Sequence, residues 1–147
     1  MAYEEPKYKL IKNTNVYEIR FYEDRLAVKT LQTSGEDRAF GRLFKYISGV
    51  NQSSSKIAMT IPVLQSDEGK ELVMYFFLPK SYSEQNAPLP KADNIELVTV
   101  KGGYYAIIKY SGRITNQNFK RHSTILKDAL NKDKILINGD SIQAIYN

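Results

Sequence analysis

The 147-residue chain contains no cysteine, no tryptophan and a single histidine, His122. Without cysteine, the chain has no thiolate nucleophile, no iron–sulfur cluster and no cysteine-ligated zinc site. One histidine excludes a metal centre built from several imidazoles and leaves few nucleophile–base pairs for covalent catalysis. We therefore expect a protein that is not an enzyme.

Long apolar segments are also lacking. The longest uninterrupted apolar run, Leu72–Leu78, has seven residues, whereas about 20 are needed to cross a bilayer. The amino-terminal residues, MAYEEPKYKL, are charged and contain no apolar stretch of signal-peptide length. The sequence thus predicts a cytoplasmic protein without a membrane span.

The formal net charge of +5 comes from one part of the sequence. Residues 101–134 hold eight Lys and Arg against two Asp and Glu, while residues 1–100 hold 13 of each. A basic helix is able to bind phosphate, but a solvated, lysine-rich face is the more common explanation. No nucleic-acid-binding motif accompanies these residues, so we expect no nucleic-acid partner.

The composition is that of one globular domain, with 42% apolar and 25% charged residues. Residues 40–47 show the apolar spacing of a helix that ends at Gly49. A second helix is predicted at Asn116–Leu130, and the predicted strands are Val16–Phe21, Leu26–Leu31, Ile57–Leu64, Leu72–Leu78, Ile95–Val100, Tyr104–Tyr110 and Ser141–Tyr146. The pattern indicates an α+β fold.

The two halves of the chain repeat one another, at about residues 8–79 and 93–147. A constant offset of 79 places Ala27 on Ala106 and Phe40 on Phe119. Each repeat exposes apolar faces that it cannot cover alone, so the halves are expected to pack into one curved sheet or barrel with a ligand groove. The second repeat ends without a counterpart of Leu72–Leu78, and a final strand is therefore expected to be missing.

Three motifs stand out: Tyr17–Arg20 (YEIR), Lys45–Asn51 (KYISGVN) and, most specific, Lys56–Val63 (KIAMTIPV). With these motifs the chain resembles the SOUL haem-binding proteins over roughly residues 8–147. The resemblance implies one domain, residues 1–147, folded as a distorted, mostly antiparallel β-barrel of two β-α-β-β repeats with two flanking helices. It also implies non-catalytic binding of haem or another tetrapyrrole. Gyrase-inhibitor-like effector-binding domains share this plan and bind bulky small molecules.

Two positions depart from the family pattern. Some members place a histidine, a possible haem-iron ligand, directly after Tyr-Glu-x-Arg, whereas Phe21 follows here. The family pattern also continues past Tyr146–Asn147 with a final strand. An open sheet edge is therefore expected to allow homo-oligomers or the addition of a partner's strand.

The candidate ligand site lies on the first helix. Phe40 and Phe44 are one turn apart, so their rings form a platform for a flat tetrapyrrole. Lys45 is placed to meet a propionate, with Arg38 or Arg42 as further cations. In the alternative interpretation both rings pack on the sheet and the cations are solvated.

His122 is the candidate axial ligand for haem iron, because neutral imidazole is a usual protein ligand of that metal. It lies between Phe119 and Leu126 on the apolar helix face, and the offset maps it onto Leu43. A core histidine bonded to a backbone carbonyl is the competing interpretation. Met59, likewise, either fills the core or touches the ligand.

The sequence predicts non-catalytic binding of haem or a related tetrapyrrole in a shallow apolar groove beside the first helix. In one alternative, an effector-binding module for bulky cationic molecules, a buried acid lines the groove, with Glu18, Glu71 and Glu96 as candidates. Glu18 is otherwise expected to form a surface ion pair with Arg20. In another alternative, a protein-interaction domain uses the open sheet edge or the basic helix.

Overall fold

The computed structural model describes residues 3–32, 38–68 and 71–146. It has the predicted α+β class, with two helices and antiparallel strand pairs. Among the described residues, no helix is long and apolar enough to cross a membrane. The elements are β1 (Tyr8–Asn13), β2 (Glu18–Tyr22), β3 (Arg25–Gln32), α1 (Ala39–Ile47), β4 (Val63–Glu68), β5 (Glu71–Phe77), β6 (Ile95–Val100), β7 (Gly103–Ile107), α2 (Asn116–Lys132) and β8 (Ile142–Ile145).

The chain forms two compact units, each with one sheet and one helix. The five-stranded unit holds the described residues of Met1–Pro6, Asp24–Lys101 and Ile142–Asn147, with strand order β6-β3-β5-β4-β8 and helix α1. The three-stranded unit holds Lys7–Glu23 and Gly102–Ser141, with strand order β1-β2-β7 and helix α2. Each unit therefore combines segments from both halves of the sequence.

Helix α1 forms the core of the five-stranded unit together with β3 and β5. Leu43 and Tyr46 on the helix are fully buried, as is Val28 on β3. Val28 pairs with Phe76 of β5, so alternate residues of both strands face the helix. The Tyr46 hydroxyl donates to the Pro88 carbonyl. Burial raises the pKa of Tyr46 to about 12, so this phenol stays neutral.

A buried arginine organises the three-stranded unit. Arg20 is 4% exposed, and it donates from Nε to Glu18 at 2.8 Å and from Nη1 to the Tyr22 hydroxyl at 2.9 Å. Its guanidinium carbon lies 4.0 Å from the centre of the Tyr8 ring, while Lys109 Nζ lies 3.3 Å from the second Glu18 oxygen. The ion pair expected at the surface is thus largely buried, and it joins β2 to aromatic side chains.

The strand registers follow the offset of 79. In the three-stranded unit Ile19 pairs with Ala106. The residue 79 positions after Ile19 is Val98, and the residue 79 positions before Ala106 is Ala27. Val98 and Ala27 pair with each other in the five-stranded unit. The β4–β8 ladder maps onto itself under the same exchange. These registers support the predicted duplication. Neither sheet closes on itself within the described residues, so the closed barrel and the single domain stay predictions.

Two strands differ from the sequence-based expectation. Strand β1 was missed because all six of its residues are exposed and lack the alternation of a half-buried strand. Strand β4 begins at Val63 rather than at Ile57. Pro62 has no N–H to donate to a ladder, and the preceding Thr60 hydroxyl donates instead to the Phe77 carbonyl at 2.6 Å. The predicted strand was therefore placed too early.

Candidate functional site

An open groove lies at the carboxyl-terminal end of α1. Gly49, with φ at 122°, takes the left-handed position that ends the helix. The Val50 N–H then donates to the Lys45 carbonyl at 3.0 Å, and the Ile57 N–H donates to the Ile47 carbonyl at 2.8 Å. The chain after the helix is thereby held against its last turn, where it forms one side of the groove.

A fully buried asparagine holds the intervening loop. The Asn51 amide donates to the carbonyls of Tyr46 at 2.9 Å and Ser55 at 2.8 Å. Its oxygen accepts from the backbone N–H groups of Ser53 at 3.2 Å and Ser55 at 3.1 Å. Because both donors and both acceptor positions are used, the loop that leads from α1 to the lining residues Lys56 and Ile57 is held in one conformation.

The groove has a volume of about 450 Å³, within the range of about 300–1,000 Å³ that is usual for small-molecule sites. It is lined by three hydrocarbon side chains, a thioether, a hydroxyl and an amine, from Phe44, Ile47, Ile57, Met59, Ser48 and Lys56. The lining thus offers apolar surface and one cation. Such a surface suits a large apolar ligand with negatively charged groups.

Phe40 and Phe44 lie side by side on α1, as their spacing predicts. Their ring centroids are 6.0 Å apart with an interplanar angle of 17°, and the residues are 43% and 47% exposed. Phe40 also meets the ring of Phe76 at 5.0 Å in an edge-on contact. Phe40 thus contacts the sheet, while both rings keep nearly half of their surface open.

The cations around α1 have different roles. Lys45 is exposed in the last turn of the helix, and Lys56 lines the groove. The Arg42 side chain instead binds strand β3, because its Nε donates to Thr30 Oγ1 at 3.1 Å and its Nη2 donates to the Leu31 carbonyl. Sequence reasoning missed Lys56, although this residue opens the most specific motif, since the motif was interpreted as a strand.

His122 lies on α2 and belongs to the three-stranded unit. Its Nδ1 is 2.8 Å from the Asn118 carbonyl oxygen, and its ring stacks on Tyr110 with centroids 3.9 Å apart. A carbonyl only accepts, so Nδ1 carries the proton and Nε2 of the neutral ring keeps its lone pair. The offset-equivalent Leu43 is fully buried, whereas His122 is partly exposed.

In the part of the chain that the structure describes, His122 does not belong to a multidentate metal site. Within the described ranges, no group of three or more His, Cys, Asp or Glu side chains is placed to hold a metal ion. The bond to a backbone carbonyl is the one expected of a structural histidine, and iron ligation by Nε2 stays a prediction.

Comparison with protein-family models matches residues 3–147 to the family described as SOUL heme-binding protein. The match covers both units and nearly the whole chain. No curated protein matches the sequence.

Proposed function

Because the chain belongs to the SOUL heme-binding protein family, we propose that it binds haem or a related tetrapyrrole, without catalysis, in the groove beside α1. The family accounts for the ligand class. One observation supports this location for the ligand: the rings of Phe40 and Phe44 are nearly parallel and half-exposed, and they lie beside an apolar groove. A flat macrocycle is able to cover both rings and the groove together.

The energetics favour ring burial over charge as the main source of affinity. An aromatic contact contributes about 0.5–1.5 kcal/mol beyond the area that it buries, and Phe44, Ile57 and Met59 add apolar surface in the groove. Lys45 and Lys56 would hold the ligand carboxylates, but an exposed ion pair contributes only about 0–1 kcal/mol. We therefore expect loss of Phe44 to weaken binding more than loss of either lysine.

When bound, haem supplies an iron centre that accepts axial ligands. Of the six residues that line the groove, only Met59 carries a side chain of the kind that ligates haem iron in proteins. The proposed binding in the groove rests on the macrocycle and its carboxylates. Metal-free protoporphyrin IX is therefore a suitable probe beside hemin.

The groove is tested by titrating the purified protein with hemin and with protoporphyrin IX, following the Soret band and tyrosine fluorescence. Phe44→Ala is expected to weaken binding about tenfold, which corresponds to about 1.4 kcal/mol, and Lys56→Ala about two- to fivefold. Tyr104→Ala removes a more exposed ring from the three-stranded unit and is the matched control. Absence of binding at micromolar hemin, or equal affinity of the Phe44 variant and the control, contradicts the proposal.

His122 is proposed as a secondary candidate for iron ligation through Nε2. In this case hemin bound to His122→Ala lacks a spectral component that the unaltered protein has, namely the Soret and electron paramagnetic resonance signals of imidazole-ligated iron. Tyr110→Leu, which removes the stacked ring while keeping the imidazole, is the control. Identical spectra for the His122 variant and the unaltered protein would eliminate this role.

The charge of the groove separates haem from the cationic ligands of an effector-binding module. Lys56 is the charged residue of the lining, which favours anionic ligands. Of the three acids considered for a cationic ligand, Glu18 is held by Arg20 and Lys109 in the three-stranded unit. Glu96 lies 3.8 Å from Lys29, and Glu71 is exposed at the start of β5. Tighter binding of a cationic aromatic dye than of protoporphyrin IX would favour the alternative.

A further inference from the structure

The three-stranded unit is strongly basic. Its segments hold 11 Lys and Arg against 5 Asp and Glu, whereas the rest of the chain holds 10 against 11. The positive charge of the protein therefore belongs to one of its two units. A unit of this charge attracts an anionic surface over the distance of a Debye length.

Helix α2 ends in an unusual way. The Ile135 N–H donates to the Leu130 carbonyl at 2.9 Å, and the Lys134 N–H donates to the Asn131 carbonyl at 3.0 Å. This is the motif that ends α1, where Gly49 takes the left-handed position, but in α2 that position is taken by Lys134, with φ at 59°. A left-handed backbone is unfavourable for any residue with a Cβ, so the sequence keeps a lysine where glycine is the easier choice.

The two residues after this cap are exposed and apolar. Leu136 is 96% exposed and Ile137 is 49% exposed, and they follow Lys132 and Lys134, with the partly buried Ile135 between Lys134 and Leu136. We call the two exposed apolar residues and the two lysines the Leu136 tip. Single exposed apolar residues are common. Here an almost fully exposed leucine and a second exposed apolar residue lie within five residues of two lysines, so the tip presents apolar and cationic groups together.

A second segment adds to the same end of the unit. The Tyr17 hydroxyl donates to the carboxylate of Asp133, the residue that caps α2, so the turn between β1 and β2 lies against the end of the helix. Exposed Val16 belongs to this turn, and Lys12 Nζ lies 5.8 Å from the centre of the Tyr17 ring. Asp133 is the acid within this cluster, and its carboxylate is already an acceptor for Tyr17.

We propose that the Leu136 tip, with Lys12 and Val16, docks the protein peripherally on an anionic lipid bilayer. Leu136 and Ile137 enter the boundary between headgroups and acyl chains, while the lysines meet lipid phosphates. Stable peripheral binding needs an apolar anchor and a basic cluster together, and both are present here. Nucleic acid would use the lysines but has no role for the exposed leucine. The docking residues belong to a different unit from the proposed haem groove.

The test is co-sedimentation of the full chain, without hemin, with vesicles of phosphatidylcholine containing about 30% phosphatidylserine. The protein is expected to pellet with these vesicles, weakly with phosphatidylcholine alone, and less as salt is added. The double variant Leu136→Ser, Ile137→Ser is expected to lose at least about tenfold in affinity. Lys132→Gln is expected to lose about fivefold. Both sites are exposed, so thermal melts should match the unaltered protein.

Matched controls come from the five-stranded unit. Leu89→Ser removes an exposed leucine, and Lys91→Gln removes an exposed lysine, and neither should change vesicle binding. Failure to bind anionic vesicles, or equal losses for the controls and the Leu136 variants, overturns the proposal. Self-association that the Leu136 double variant abolishes, with no vesicle binding, also overturns it, since the tip would then be a contact between copies. None of the substituted residues lines the groove, so hemin binding is expected to be the same in all of these variants, and the haem proposal is tested separately.

Discussion

Arg20 is a charged residue placed where hydrocarbon is the usual choice. Burial alone would lower its pKa, but hydrogen bonds with Tyr22 and Glu18 outweigh burial and hold that pKa above its ordinary value. The hydrogen bond from Arg20, with the attraction of Lys109, lowers the pKa of Glu18. The pair therefore remains ionised over the whole neutral range. Removing one partner would leave the other buried without its counter-charge, which is costly.

Glu18→Gln is expected to lower the free energy of unfolding at pH 7 by about 1.5–3 kcal/mol, the contribution of a charged hydrogen bond. The pKa of Glu18 is lower in the folded state than the unfolded value of about 4.5. The stabilisation is therefore complete above pH 4.5 or so and declines as the pH falls through the folded-state pKa. Urea unfolding at pH 7 and at pH 3 measures this, and the two proteins should differ less at pH 3. A difference that is equal at both values contradicts the prediction.

Asn51 is a buried neutral residue, and its side-chain amide makes hydrogen bonds with four backbone groups at the end of α1 and in the loop that follows it. Asn51→Ala is expected to lower the free energy of unfolding by more than about 2 kcal/mol, since each buried group left unpaired costs about 1–3 kcal/mol. Asn86, an exposed asparagine that accepts one bond from the Ser83 N–H, is the control, and its alanine variant should lose less than about 1 kcal/mol. Chemical denaturation compares them, and similar losses would contradict the prediction.

At the scale of elements, the two helices share one terminating motif with different residues at its left-handed position. Lys134→Gly is expected to raise the free energy of unfolding by about 1 kcal/mol, because glycine relieves the strain of φ at 59°. Lys132→Gly, inside the last turn of α2, is expected to lower it by about 1 kcal/mol. Thermal unfolding detects both, and a loss of stability in the Lys134 variant would show that its side chain stabilises the cap.

The helices and most strands follow from local patterns, since apolar spacing and glycine positions mark them whatever the rest of the chain does. Helix α2 and strand β6 lie where the sequence places them. Strand β1 depends on pairing with β2 rather than on burial, so its composition carries no signal. Residues 34–37, Ser-Gly-Glu-Asp, have the composition of a helix N-cap, with an acid three residues after the serine, and they lie outside the described residues. Helix α1 begins after Arg38, whose side chain makes no capping hydrogen bond.

At the scale of the molecule, the two units are stabilised differently. The core cluster of the five-stranded unit is apolar, and β3 is paired on both sides, with β5 and β6. In the three-stranded unit β1 is fully exposed, and Leu130 is the only residue of α2 classed as buried in the described structure. Local opening is easiest where few apolar contacts are lost.

Native-state hydrogen exchange is therefore expected to be slowest in β3 and β5, where it should approach the free energy of global unfolding, and faster in β1. Mass spectrometry of peptides from Arg25–Gln32 and Tyr8–Asn13 measures the difference. Strand β4, which pairs with β5 and β8 but has one buried residue, Val63, among its described side chains, is an intermediate control. Equal protection in β1 and β3 would mean that the two units open as one.

The family, the α+β class and the aromatic pair on α1 can be predicted from the sequence, because each depends on residues close together in the chain and on their periodic spacing. The position of Lys56 in the groove, the burial of Arg20 and the exposure of Leu136 are not, since each results from contacts, or their absence, between segments far apart in the sequence. Phe40 and Phe44 illustrate both cases. Their separation by one helical turn follows from spacing, but the exposed fraction of the Phe40 side chain depends on its contact with Phe76 of β5.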